Sequence, residues 1–376
     1  MNPIFQRFMR DATKLVRGGN LQLATAAIQA ALSGTAATAA TAAAAKPARV
    51  DDHDVMDVEA HDVGRESTAP QEPSSKAQVK NMVQPTQVAQ RVRPGPPDQF
   101  ISGSHTDAAG TREYKLYIPP ASFEGPLPLV VMLHGCTQNP DDFAAGTAMN
   151  EAACKRGFYV LYPAQTRHAN ASRCWNWFKH NHQKRGRGEP ALLAGMTRDV
   201  MARYPIDPQR IYVAGLSAGG AMAAILGDAY PDLFAAVGVH SGLATGSATN
   251  LQGALGVMRT GAAPVLPSAA SPPTIVFHGD QDTTVNPANG EHVVAVSAGA
   301  AKSEQQRARS SNGRDYSRRI YTQASGRVVA EHWVVHGAGH AWSGGHSHGS
   351  YTDAQGPDAT QEMLRFFLAH TLPMQH

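Results

Sequence analysis

The sequence Gly215-Leu216-Ser217-Ala218-Gly219 follows the apolar run Arg210-Ile211-Tyr212-Val213-Ala214 and precedes the small-residue run Gly220-Ala221-Met222-Ala223-Ala224. This order predicts a strand, a sharp turn and a helix, with Ser217 at the apex of the turn. Glycines two positions before and after the serine remove Cβ atoms that would clash in such a turn. The hydroxyl of Ser217 would then face a substrate, with the amide of Ala218 at the start of the helix beside it.

Composition divides the 376-residue chain into three parts. Residues 1–32 alternate basic and apolar side chains as an amphipathic helical segment does, and residues 33–97 have the Ala, Thr, Pro and Gln content of a disordered linker. Residues 98–376 have the length of one α/β domain. Because the net charge is only +3, nothing in the overall charge favours nucleic-acid binding.

The segment 1–32 carries Arg7, Arg10, Lys14 and Arg17 among its apolar residues. These charges interrupt every apolar run, so the segment does not match a secretory signal peptide. No stretch of the chain is long and apolar enough to predict a transmembrane span. Three roles stay open for the segment: docking to a surface, targeting like a transit peptide, or packing as a helix on the domain.

Apolar runs in the predicted domain alternate with helical patterns, which indicates a mostly parallel central sheet with helices on both faces. The buried strands expected include residues 127–133, 158–162, 274–277 and 331–335. Working groups in such sheets gather beyond the carboxyl ends of the strands. Ser217, Asp282 and His340 each follow a predicted strand, so we expect the three side chains to meet at this edge.

A serine hydroxyl needs a base to remove its proton as it attacks, and imidazole suits that task. His340 lies between Gly339 and Ala341 on the loop after the last strand and is the favoured base, with His336 as the weaker candidate. Of two carboxylates after the preceding strand, Asp282 is favoured to orient the imidazole. Asp280 would then shape the turn through hydrogen bonds to backbone amides.

The backbone amides of Cys136 and Ala218 are the expected donors of an oxyanion hole, the pair of N–H groups that stabilises a developing negative charge. A thiol nucleophile at Cys136 is disfavoured because its loop does not resemble a helix-start cysteine paired with a base. A metal site built from His336, His346 and His348 is also disfavoured, since it lacks a carboxylate or cysteine ligand. No metal or organic cofactor is expected.

Four motifs together resemble the esterases of the polyhydroxybutyrate depolymerase type. They are Leu133-His134-Gly135-Cys136-Thr137-Gln138, Cys174-Trp175-Asn176-Trp177-Phe178, Gly215-Leu216-Ser217-Ala218-Gly219-Gly220 and Gly339-His340-Ala341-Trp342-Ser343-Gly344-Gly345. The resemblance runs from about residue 114 to residue 370. It implies an α/β-hydrolase fold for residues 98–376, a catalytic triad of Ser217, Asp282 and His340, and the Cys136 amide in the oxyanion hole.

The resemblance also implies hydrolysis of polyhydroxybutyrate or short-chain hydroxyalkanoate esters, with feruloyl and acetylxylan esters as the alternative. A non-catalytic granule-surface binding protein is the alternative from another class. Without a signal peptide or a C-terminal polymer-binding domain, the sequence is most similar to the intracellular branch. We therefore expect a cytoplasmic protein, with residues 1–32 as the candidate contact to a polyester granule.

Two further expectations concern the loops around the predicted site. Trp175 and Trp342 are expected to line the substrate cleft, whereas Trp177 is assigned to the core. Cysteines in a chain without an export signal are reduced by default, but Cys136 and Cys174 lie in segments that should meet. A disulfide between them is a hypothesis that leaves Cys154 unpaired.

Overall fold

The computed structural model describes residues 98–262 and 271–373. The predicted amphipathic segment 1–32 and linker 33–97 lie outside the described residues. Strands are β1 (Gln99–Asp107), β2 (Gly110–Ile118), β3 (Leu127–Leu133), β4 (Tyr159–Pro163), β5 (Ile206–Leu216), β6 (Ala236–His240), β7 (Thr274–Gly279), β8 (Lys302–Arg309), β9 (Asp315–Thr322), β10 (Val328–Val335), β11 (Trp342–Ser343) and β12 (Thr352–Asp353). Helices are α1 (Pro140–Thr147), α2 (Met149–Arg156), α3 (Gly188–Arg203), α4 (Ala218–Ala229), α5 (Leu251–Thr260), α6 (Ala288–Ala298) and α7 (Ala359–Leu368).

Ten strands form one sheet in the order β1-β2-β4-β3-β5-β6-β7-β10-β9-β8. The central strands from β4 to β10 pair in parallel, while β1 and β2 on one side and β9 and β8 on the other pair antiparallel. The short strands β11 and β12 form a separate parallel pair. The carboxyl ends of β5, β7 and β10 therefore lie along one edge of the sheet.

Alternating side chains of the central strands enter two apolar cores, one on each face of the sheet. On one face, residues such as Leu129 and Val131 of β3 pack with buried side chains of α3, α4 and α6. On the other face, Val130 and Met132 of the same strand pack with side chains of α1, α2 and α7. Helices cover both faces of a mostly parallel sheet, and the predicted fold class is confirmed.

The sequence Asn139-Pro140-Asp141-Asp142 is typical of a helix start and predicts one helix through about Arg156, but the structure divides this segment into α1 and α2. Ala148 lies between them with φ 50°, in the left-handed region. The carbonyl oxygen of Gly146 accepts a hydrogen bond from the His346 amide, and that of Thr147 accepts one from the Thr360 hydroxyl. Because other segments use these carbonyl groups, the helical hydrogen-bond ladder stops there.

Strands at the sheet edges escaped the sequence analysis. Every residue of β8, with the sequence Lys-Ser-Glu-Gln-Gln-Arg-Ala-Arg, is exposed. Such a strand buries no side chain and so shows no apolar alternation to detect. No helix among the described residues has both the length and the apolar character needed to cross a bilayer.

Candidate active site

Ser217 occupies the turn between β5 and α4 with backbone angles φ 58° and ψ −118°. A side chain at Gly219 would collide with the carbonyl oxygen of Leu133, and one at Gly215 would collide with the Gly219 backbone. Only glycine permits both approaches. The backbone amide of Ser217 donates to the carbonyl oxygen of His240 at 2.8 Å, which anchors the turn to β6.

The hydroxyl group of Ser217 has no hydrogen-bond partner among the described residues, and its oxygen atom is not completely buried. Its oxygen is therefore partly accessible, at the edge of the sheet where the parallel strands end, although Ser217 as a whole is only 8% exposed. No hydrogen bond joins it to His340. Such contacts are often loose until substrate binds, so the arrangement leaves the oxygen free for an incoming carbonyl carbon.

Asp282 and His340 form a hydrogen-bonded pair across the ends of β7 and β10. The Nδ1 atom of His340 lies 2.7 Å from Oδ2 of Asp282. The carboxylate is fully buried, whereas 12% of the His340 side chain is exposed. Since Nδ1 donates to the carboxylate, Nε2 is the acceptor of the neutral imidazole and is available to a hydroxyl group.

The surroundings of Asp282 stabilise its ionised form. Its Oδ1 atom accepts hydrogen bonds from the amides of Thr284 and Val285, at 2.8 and 2.9 Å. Nε2 of His278 lies 3.3 Å from Oδ2. Burial alone would raise the pKa of Asp282, but the hydrogen bonds from His278, His340 and Val285 outweigh it and hold the pKa well below its usual value. Asp282, the hydrogen-bond partner of His340, is thus ionised at neutral pH.

The alternative acid and base of the sequence analysis pair with each other. Nδ1 of His336 lies 2.9 Å from Oδ2 of Asp280, and the amide of Gly337 donates to Oδ1 of the same carboxylate at 2.7 Å. Asp280 therefore contacts backbone in the neighbouring loop, and the structure pairs it with His336 instead of His340.

His240 is a residue of the site that the sequence analysis missed. Its carbonyl oxygen holds the Ser217 amide, and its Nε2 atom accepts a hydrogen bond from the amide of Ser343 at 2.9 Å. The ring stacks on Phe277 and Trp342. Burial, with a smaller contribution from nearby His278 and His340, holds the pKa of His240 well below its usual value. A neutral His240 thus links the serine turn to the loop after His340, and no motif marks it in the sequence.

The amides of Cys136 and Ala218 have no hydrogen-bond acceptor among the described residues. Cys136 lies on the loop after β3, and Ala218 is the first residue of α4, next to Ser217. Backbone N–H groups left unpaired at such a position can bind a negatively charged oxygen. The two predicted oxyanion donors therefore have free N–H groups on the segments where the sequence placed them.

A disulfide joins Cys136 to Cys174, with their Cα atoms 4.2 Å apart, and Cys154 is free. The amide of Thr137 also donates to the carbonyl oxygen of Ser172 at 2.6 Å. The structure thus contains the hypothesised bond. It fixes the loop of the Cys136 amide to the loop of residues 172–176.

The structure corrects the expectation that Trp175 and Trp342 line the substrate cleft. Their side chains are 0% and 1% exposed. The indole N–H of Trp175 donates to the His134 carbonyl oxygen, and that of Trp342 to the Thr360 hydroxyl, both at 3.1 Å. A buried indole N–H needs such a hydrogen-bond acceptor. Both rings therefore pack inside the protein, where each hydrogen bond holds a neighbouring segment in place. Trp177 is buried as expected.

Within residues 98–262 and 271–373, no cluster of three or more His, Cys, Asp and Glu side chains is arranged to hold a metal ion. His346 and His348 lie against each other, with ring centroids 4.2 Å apart. The amide of His348 donates to Nδ1 of His346 at 3.3 Å, so this ring nitrogen already accepts a hydrogen bond from its own loop.

Residues 112–299, half of the chain, match the family model described as Esterase PHB depolymerase. The chain is 31% identical over 235 residues to poly(3-hydroxyalkanoate) depolymerase C of Paucimonas lemoignei, which covers 59% of this chain and 56% of that protein. It is also 31% identical over 140 residues to feruloyl esterase B of Thermothelomyces thermophilus, covering 37% of this chain and 47% of that protein. The chain thus spans about half the length of these curated relatives.

Among solved structures, the acetyl xylan esterase from Aspergillus awamori superposes with a TM-score of 0.57. The match covers 72% of this chain and 99% of the esterase, at 20% sequence identity. At that identity the likeness concerns the fold alone. It agrees with a parallel sheet whose strand ends carry the serine turn, the buried aspartate and the histidine loop.

Proposed function

Since the chain belongs to the PHB depolymerase family of esterases, we propose that it is a serine carboxyl-ester hydrolase acting on polyhydroxybutyrate or short-chain hydroxyalkanoate esters. The observation that carries this proposal is the hydrogen bond between the buried carboxylate of Asp282 and His340, on the same sheet edge as the strained turn of Ser217. These three residue types provide a nucleophile, a base and a group that orients the base.

In the first step, Oγ of Ser217 attacks the carbonyl carbon of the ester while its proton passes to Nε2 of His340. The electron pair of the carbonyl π bond moves to oxygen, which becomes an oxyanion. Asp282 stays ionised and stabilises the imidazolium at Nδ1 of His340. The amides of Cys136 and Ala218 donate to the oxyanion, because neither N–H group has an acceptor within the part of the chain that the structure describes.

The intermediate then breaks the bond between the carbonyl carbon and the alcohol oxygen. The alcohol leaves with the proton from His340, and Ser217 remains acylated. Water enters and gives a proton to Nε2 of His340 as its oxygen attacks the acyl carbon. Breaking the bond to Ser217 releases the carboxylic acid and returns the proton to Oγ, so the enzyme is regenerated without a cofactor.

The choice of polyester substrate is supported by similarity to poly(3-hydroxyalkanoate) depolymerase C over 59% of the chain. Feruloyl or acetylxylan esters are the second candidate, supported by feruloyl esterase B at the same 31% identity over a shorter segment. Initial rates of the purified full chain on amorphous polyhydroxybutyrate, methyl ferulate and acetylated xylan distinguish these candidates. Preference for either of the last two substrates would contradict the polyester assignment.

A binding protein without catalytic activity is the remaining alternative. Such a protein would sediment with polyhydroxybutyrate granules and release no soluble hydroxy acid. We propose the opposite for the full chain: release of acid that stops when Ser217 is replaced by alanine, while sedimentation is unchanged. Granule contact through residues 1–32 stays a prediction, and a chain that starts at residue 98 tests it in the same sedimentation assay.

The cytoplasmic location also stays a prediction, and the Cys136–Cys174 disulfide weighs against it. Disulfides persist in oxidising compartments, whereas cytoplasmic thiols are kept reduced. Alkylation and mass measurement of the protein taken directly from its native cells test the location. Three free thiols would agree with a cytoplasmic protein, and one free thiol at Cys154 would contradict it.

A further inference from the structure

Two hydrogen-bonded Asp–His pairs connect the same two loops at the catalytic edge. We call residues 280–285 the acid loop and residues 336–341 the histidine loop. The inner pair is Asp282 with His340, 2.7 Å apart, and the outer pair is Asp280 with His336, 2.9 Å apart. The mechanism above uses only the inner pair, which leaves the outer pair without an assigned role.

The outer pair has a defined protonation pattern. Burial would raise the pKa of Asp280, but hydrogen bonds from His336 and the Gly337 amide outweigh it, so the pKa lies below its usual value and the group is a carboxylate. Nδ1 of His336 therefore donates to the Asp280 carboxylate, and Nε2 on the other side of the ring lies 2.9 Å from the Ser317 hydroxyl oxygen. The outer pair is thereby attached to strand β9.

Backbone contacts hold the two loops at close range around the outer pair. The amide of Asp280 donates to the Val335 carbonyl oxygen at 3.1 Å, and that of Gln281 donates to the Ala338 carbonyl oxygen at 3.0 Å. A side chain at Gly279 would collide with the Ala338 backbone. Only one residue separates Asp280 from Asp282, so a shift of the outer pair moves the inner pair with it.

We propose that Asp280 and His336 are positioning residues that set the separation between the catalytic side chains Asp282 and His340. This inference rests on the proposed esterase function. The outer pair affects the reacting atoms only indirectly, through the positions of the two loops. Its effect should appear in turnover, because a misplacement of about 1 Å can cost on the order of 100-fold in rate.

The test compares kcat and KM for p-nitrophenyl butyrate among full-length variants. His336→Ala removes both contacts of the imidazole, and we expect kcat to fall about tenfold or more with KM changed less than about twofold. His336→Asn keeps an N–H donor near the position of Nδ1, so we expect it to restore most of the lost kcat. Asp280→Ala should resemble His336→Ala, and the double variant should be no slower than either single one.

Asp199→Asn is a matched control. Oδ2 of Asp199 on α3 lies 2.6 Å from Nδ1 of His105 on β1, so this is also an Asp–His pair. Strand β1 is at the sheet edge far from β7 and β10, the strands that precede the two loops. We expect kcat and KM of the Asp199→Asn variant to equal those of the wild type. Should His336→Ala not fold, Asp280→Asn and His336→Asn supply the same comparison, with Asp280→Asn expected to be the slower.

Three outcomes would overturn the inference. Wild-type kcat in both Asp280→Ala and His336→Ala would show that the outer pair has no influence on catalysis. A raised KM at unchanged kcat would indicate a substrate contact instead of positioning. Fluorophosphonate labelling of Ser317 in the Ser217→Ala variant would make Ser317 a second nucleophile. An inactive wild type would instead refute the esterase function itself, so the two failures are distinct.

Discussion

The buried carboxylate of Glu189 accepts two hydrogen bonds from Asn176, one from the backbone amide and one from the side-chain amide, both at 2.7 Å. Gln165 donates a third hydrogen bond to Glu189. Asn176 follows Trp175, whose indole supports the His134 carbonyl oxygen, and Cys174, which is bonded to Cys136. The loop after β3 that carries Cys136, here called the oxyanion loop, is thus connected through residues 174–176 to a carboxylate from helix α3.

The first prediction concerns this anchor. Glu189→Ala leaves several buried donors without an acceptor, so we expect the free energy of unfolding to fall by about 3 kcal/mol. Burial would raise the pKa of Glu189, but hydrogen bonds from His182, Gln165 and Asn176 hold it below the usual value. Urea unfolding measures the loss, with replacement of the partly exposed carboxylate Glu362 on α7 by alanine (Glu362→Ala) as the control. Equal unfolding midpoints in the two variants would contradict the role of Glu189.

The second prediction concerns the nucleophile. Ser217→Ala should reduce kcat for p-nitrophenyl butyrate by about 10³-fold or more, because no other hydroxyl occupies the turn between β5 and α4. The circular dichroism spectrum and melting temperature should stay those of the wild type. Ser303→Ala on the exposed strand β8 serves as the control and should keep full activity. Comparable rates for both variants would rule out Ser217.

The third prediction concerns the disulfide. Cys174→Ser should lower the free energy of unfolding by about 2–4 kcal/mol, since the bond closes a loop with a sequence separation of 38. It should also lower kcat, because the loop that carries the Cys136 amide loses its covalent support. Cys154→Ser removes the free thiol and is the matched control. Treatment of the wild type with a reducing agent should reproduce both losses. An unchanged kcat in Cys174→Ser would show that the disulfide does not support the oxyanion loop.

The fourth prediction concerns pH and stability. Burial, together with His278 and Arg319 nearby, lowers the pKa of His332 from 6.5 to about 3. The folded protein therefore favours neutral His332, and this stability is present above pH 6.5 and lost as the pH falls towards 3. Its Nε2 atom has no hydrogen-bond partner among residues 98–262 and 271–373, so His332→Leu removes a buried polar group. We expect the melting temperature to fall less between pH 6.5 and pH 4 in this variant than in the wild type.

Much of the architecture was predictable because the central strands are continuous apolar runs. Strand β3 and residues 211–216 of strand β5 are buried on both faces, and their apolar sequences show it directly. The edge strand β8 was missed because all of its residues are exposed, and its neighbour β9 was missed because its residues are at most partly buried. The break between α1 and α2 was also missed, because its cause lies in hydrogen bonds from residues 346 and 360, about 200 positions away.

The candidate site shows the same division. Residues with a local signature were found from the sequence: Ser217 by its flanking glycines, Asp282 and His340 by their places after strands, and the Cys136 loop by its position after β3. The tryptophans were assigned to the wrong surroundings, because a motif does not tell on which side of a loop a ring packs. Trp175 and Trp342 lie behind the loops they support.

The sequence by itself determined the strand-turn-helix of Ser217 and the order of the catalytic candidates, because backbone strain and apolar periodicity act over a few neighbouring residues. Only the tertiary structure decided which acid meets which histidine. Asp280 and Asp282, like His336 and His340, are close in sequence and chemically alike, and their pairing depends on how the ends of β7 and β10 align. The same alignment brought in His240, whose neutral ring joins the serine turn to the histidine side of the site through contacts across about 100 residues.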